Sequence, residues 1–178
     1  MTARRRTTWP AYAAAAVAFL FALVSLYWAA GGMSGMGTLG GDIERLGRAR
    51  DPELVAATWA ATALKVVGAL LALALVRPWG RRLPGPLLLV TAWAGAVVLT
   101  LYGALQTATV ALTYVDVFDD TQEMSEGVLR WRMLLWEPWF LLWGLLLGLA
   151  AWNFGRARNQ PPSASTTRRA SRLGATNV

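Results

Sequence analysis

Lys65 and Glu137 raise the first chemical question in this sequence, because each is an ionisable side chain set inside a long apolar run. A carboxylate so placed can take and give protons, and an amine can attack a carbonyl to form a Schiff base. The two can also neutralise each other. They have no imidazole or thiol to work with, since the chain contains no His and no Cys. That composition excludes disulfide frameworks, thiolate nucleophiles, Cys/His zinc sites, His-ligated haem and imidazole acid–base chemistry. The sequence implies no cofactor and no metal.

The elements that must position these two residues follow from composition. Of 178 residues, 56% are hydrophobic and 15% charged, against roughly 25% charged in an average globular chain. Mean hydropathy is +0.40. Four apolar runs, about 10–30, 54–76, 86–110 and 133–154, each reach the roughly 20 residues that cross a hydrocarbon core. Backbone groups in that core must satisfy one another, so each run is expected to be a helix. The expected fold is an all-α, four-transmembrane-helix bundle over 10–155. A basic segment, 1–9, precedes it and a disordered basic tail, 156–178, follows. Arg4, Arg5 and Arg6 before an apolar run resemble a signal peptide. The run is too long for one, however, and Tyr27-Trp28 stands where small residues should be, so an uncleaved first helix is expected.

Charge sorts the two ends of this bundle. Arg4–Arg6, Arg77, Arg81, Arg82, Arg156, Arg158 and the tail arginines stand apart from any acid, whereas Asp42, Glu44, Asp51, Glu53, Asp116, Asp119, Asp120, Glu123 and Glu126 crowd the other loops. Lys/Arg excess marks the cytoplasmic side, so both termini are expected there. The basic surface suits anionic lipid headgroups better than nucleic acid, because its arginines are divided among segments beside the spans. Membrane lipid is the expected partner, together with a second copy or another membrane protein. The stretch DIERLGRAR reads as a short surface helix. The acidic loop with Asp119-Asp120 lacks the ligand spacing of a calcium loop and reads as a solvated loop.

Within the spans, Lys65 is midway between Glu53 and Arg77, which are about 36 Å of helix apart. A charge there costs at least about 2.5 kcal/mol and should turn toward other helices. Its helical face carries Thr58, Thr62 and Gly68. Glu137 shares a face with Gly144 and Gly148, a close-packing pair, and should also point inward, in the outer half of the membrane. By helical rise the two differ in depth by roughly 10 Å. Direct pairing, pairing of Glu137 with Arg130 or Arg132, and a polar lining with Tyr27, Tyr102, Gln106 and Thr109 all stay open. Pro138 either kinks the last helix or starts it. Trp28, Trp59, Trp131, Trp136 and Trp139 are expected as outer interfacial anchors. Trp9, Trp79 and Trp152 are expected as inner anchors, and Trp93 and Trp143 as packing residues.

The motifs YWAAGG (Tyr27–Gly32) and RWRMLLWEPWF (Arg130–Phe140) resemble those of a domain-of-unknown-function family of small bacterial integral membrane proteins. The resemblance covers about residues 10–155 and implies four helices, but no activity. Ala30 stands where that family's pattern has a bulkier residue, and the histidine expected before Tyr27 is missing. From these residues the leading functional reading is a non-enzymatic accessory, sensor or structural component of the cell envelope. One alternative is a transporter-like or lipophilic-ligand-binding bundle with an outward-facing polar site at Glu137 and Lys65. Another is an intramembrane enzyme acting on a lipid or isoprenoid.

Overall fold

The computed structural model describes residues 7–114 and 126–158. The N-terminal arginines 4–6, the acidic loop 115–125 and the tail 159–178 lie outside them. Every regular element among the described residues is helical: α1 (Trp9–Ala29), α2 (Gly41–Arg48), α3 (Pro52–Ala74), α4 (Gly85–Tyr114), α5 (Glu126–Trp131) and α6 (Glu137–Arg158). A π-helical turn, Arg132–Trp136, runs α5 into α6 without a break. Four segments are long and apolar enough to cross a membrane: Trp9–Ala29, Pro52–Ala74, Gly85–Leu112 and Gly127–Arg158. The last two outrun the apolar stretches that mark them, because hydropathy registers the greasy part of a helix and not its hydrogen-bonded ends.

Local chemistry accounts for the helix starts and stops. Pro10, Pro52 and Pro86 stand in first turns, where a missing N–H costs nothing. The Asp51 carboxylate accepts from the Glu53 and Leu54 amides at 3.0 and 3.1 Å, capping α3. The surface helix expected over DIERLGRAR is α2, with ion pairs Asp42–Arg45 and Glu44–Arg48 at 2.8 Å. It closes in a Schellman turn: the Arg50 amide donates to Gly47 O and the Asp51 amide to Leu46 O. Arg50 takes the left-handed position of that turn at φ 55°, a strain of about 1–2 kcal/mol for a residue with a Cβ. Its guanidinium recovers part of this by donating to Trp28 O and Ala29 O at 3.1 and 3.4 Å, where the α1 C-terminus favours a cation.

α4 packs along α6, α6 along α1, and α1 along α3, whereas α3 and α4 touch only slightly. Small residues form the contacts. Ala11, Ala14, Ala15 and Ala18 of α1, Ala69 and Ala72 of α3, Ala92 and Ala96 of α4, and Ala150 and Ala151 of α6 are buried in one core with Leu88, Leu146 and Leu147. Large apolar residues point outward: Leu64 is 70% exposed and Val90 66%. Small inside and large outside is the arrangement suited to a hydrocarbon surround, where helices associate by close packing and not by escape from water.

The glycines expected to pack helices do so within the chain. A methyl built on Gly144 would lie 2.6 Å from Thr100 N and 3.0 Å from Ala96 O, so α4 is already seated on this seam. Gly148 is roomier, its built methyl 3.6 Å from Ala96 Cβ. Gly68 lies under the Trp143 ring, which a methyl would meet at 2.5 Å. Gly144→Ala is therefore expected to lower the thermal midpoint in mild detergent through overpacking of about 1–3 kcal/mol, while Gly148→Ala stays within about 0.5 kcal/mol of the parent. Equal midpoints for the two variants would contradict the packing described.

Candidate functional site

Pro138 has no amide hydrogen and crowds the carbonyl four residues before it, so a regular α-helix cannot run through Leu134–Pro138 undisturbed. The chain widens instead. The Glu137 amide donates to Arg132 O, five residues back, which is the π-helical bond. In an α-helix, residues five apart point about 140° away from each other. The wider turn brings them together, and both the Nε and an Nη of Arg132 donate to Glu137 Oε1, at 3.0 and 2.9 Å. Glu137 is buried, 5% exposed. Of the two readings of Pro138, kink or start, the structure takes neither in pure form: the helix continues through a π-turn.

The same turn orients Trp136 and Trp139, and Trp28 of α1 comes to meet Trp136. Trp136 Nε1 donates to the Thr38 hydroxyl at 3.0 Å, and that hydroxyl donates to Gly35 O at 2.6 Å. Trp139 Nε1 donates to Val17 O of α1 at 3.1 Å. Trp28 Nε1 donates to Ser34 O at 3.0 Å, while the Ser34 amide donates to the Tyr27 hydroxyl. Gly32 lies against the Tyr27 ring, leaving no room for a Cβ. Trp28 and Trp136 then meet ring to ring at 5.1 Å. Thus YWAAGG and RWRMLLWEPWF, about a hundred residues apart in sequence, close on each other around the loop 31–40. Trp28, Trp136 and Trp139 are half-buried and spend their N–H groups on protein acceptors. The sequence places these rings by their position at span ends; the structure adds that each indole N–H has a protein acceptor. Trp59 and Trp131 are 48% and 53% exposed.

Lys65 and Glu137 do not bond to each other. Lys65 Nζ donates to Ser25 Oγ at 2.8 Å and stands 4.2 Å from the Phe21 ring centroid. Phe21 also packs on Trp136, Trp139 and Phe140, at 6.1, 5.7 and 4.9 Å. The ammonium and the carboxylate are therefore flanked by one aromatic cluster without touching. Tyr102 joins its far edge through Phe140, at 5.0 Å. Gln106 is half-buried and makes no side-chain hydrogen bond to a described residue, and Thr109 back-bonds to Leu105 O. The polar lining imagined from Tyr27, Tyr102, Gln106, Thr109, Glu137 and Lys65 is thus not one joined network. Sequence reasoning missed Ser25, Phe21 and Thr38. Ser25 alone left a signal, as the one serine of the first apolar run.

This is a helical protein with four helices long and apolar enough to cross a membrane, and with charged and indole groups bonded between elements. The chain belongs to the family described as protein of unknown function (DUF3995), whose profile matches residues 18–147 and so takes in both motifs. No curated protein and no solved structure matches it.

Removing Arg132 alone leaves a buried carboxylate without its cation. Arg132→Met is expected to destabilise by about 3 kcal/mol. Arg132→Met/Glu137→Leu should cost less than the sum of the single changes, a non-additivity that a double-mutant cycle in detergent unfolding would measure. Additive costs would show that the pair is not coupled.

Proposed function

We propose that this chain is a four-helix integral membrane bundle, with both termini and the 77–85 loop cytoplasmic, that serves the cell envelope as a non-enzymatic accessory, sensor or structural component. One observation carries the reading: the charged groups inside the spans are taken up by the protein itself. Glu137 is held by Arg132, and Lys65 by Ser25 and Phe21. An ionisable residue in a membrane is a functional candidate because its burial is costly. Here the cost is offset by fixing the order of the helices and clamping the outer loop. The orientation rests on the arginines at one end and the acids at the other.

A second reading, a bundle that binds a lipophilic ligand at its outer end, draws on one detail. Glu137 Oε2 makes no hydrogen bond to a described residue, whereas Oε1 accepts two. The two readings separate by substitution. Under the structural reading, Lys65→Met and Glu137→Gln lower protein abundance in membranes, and any cellular phenotype scales with that loss. A variant at normal abundance that loses the phenotype would favour the ligand site. A reporter fused after Val178 should score cytoplasmic; an external score would overturn the orientation.

A further inference from the structure

The outward side of the α4–α6 seam carries an apolar groove of about 710 Å³. Its floor is Ala96, Gly144 and Gly148, and one end is formed by Trp93 and Trp152, packed edge to face at 6.5 Å. Beyond that end, the Arg156 guanidinium lies over the Trp152 ring at 5.2 Å. No carboxylate of the described residues pairs with Arg156. None is nearby in sequence either: there is no Asp or Glu between Glu53 and Asp116, nor any after Glu137. A second apolar depression of about 530 Å³ on α4 shares Trp93 and Val97 with the first. Two adjoining grooves, with the unpaired Arg156 guanidinium beyond the Trp152 end of the first, match a ligand with two hydrocarbon chains and an anionic head.

We propose that this surface binds an anionic phospholipid of the leaflet at the Arg156 end, with its chains in the two grooves and its phosphate on Arg156. The inference rests on the reading that the helices cross a membrane. Charge decides between lipid and the other candidate occupant, a second copy. A second copy in the same orientation would bring its own arginines to this end, placing like charges together. A phosphate meets the guanidinium as a matched partner, and Trp152 holds that guanidinium in place by cation–π contact.

The test uses the full chain in vesicles of equal phosphatidylglycerol and phosphatidylcholine, extracted into mild detergent, with the retained lipid quantified. Phosphatidylglycerol should exceed phosphatidylcholine about fivefold, the factor expected for one arginine near an anionic headgroup. Arg156→Gln should bring the ratio close to parity while total retained lipid holds. Gly148→Leu, which fills the groove floor, should lower both lipids. If Gly148→Leu fails to fold, the exposed Arg156→Gln carries the test alone. Parity in the parent chain, a ratio unchanged by Arg156→Gln, or efficient Leu145→Cys cross-linking between copies would each overturn the site. Resistance of the parent to carbonate washing of membranes reports on the spanning itself, so a lipid failure in a wash-resistant protein counts against the groove alone.

Discussion

A missing hydrogen organises the end of this protein where α1 stops and α6 begins. Pro138 cannot donate to the carbonyl four residues before it, and the helix answers by opening one turn into π geometry. That opening decides which side chains share a face. Arg132 falls back onto Glu137, so the carboxylate can be buried in an apolar setting with its charge compensated. Trp136 and Trp139 are swung to opposite tasks, one toward the loop 31–40 and one toward α1.

The two sequence motifs acquire meaning through that turn. Tyr27 and Trp28 fix the backbone of Ser34 from both sides, Gly32 makes way for the tyrosine ring, and Trp136 reaches Thr38 on the same loop. Contact between Trp28 and Trp136 joins the end of α1 to the start of α6. From there the aromatic cluster continues through Phe21 to Lys65 on α3 and through Phe140 to Tyr102 on α4. One network of rings thus touches all four long helices, and its indole and ammonium donors find their acceptors within the protein.

Away from this end the packing is plain. Alanines and glycines let α1, α3, α4 and α6 approach closely, and leucines and valines turn outward. One strain and one unmet group persist among the described residues. Arg50 holds a left-handed backbone, and the buried Trp143 indole N–H finds no partner among the described residues. The first is offset by the guanidinium at the end of α1. The second sits against Gly68, where ring size fills the space between α3 and α6.

Much of the fold could be read from the sequence, because helix-forming segments in hydrocarbon need only length and apolarity, and these are local properties. The four long apolar helices and α2 follow from local composition, and the face shared by Glu137 and Gly144 follows from spacing along one helix. Partner choice did not. Arg132 was one of several cations in reach of Glu137, and only the π-turn selects it, since five-residue spacing in an α-helix points the two apart. Lys65 takes Ser25 and Phe21 because α1 lies against α3, an adjacency no periodicity encodes. Trp136 and Trp139 looked like interfacial anchors because indole at a span end favours headgroups. Tertiary contact decided their acceptors, the Thr38 hydroxyl and Val17 O, because only packing brings those groups within reach of the indoles.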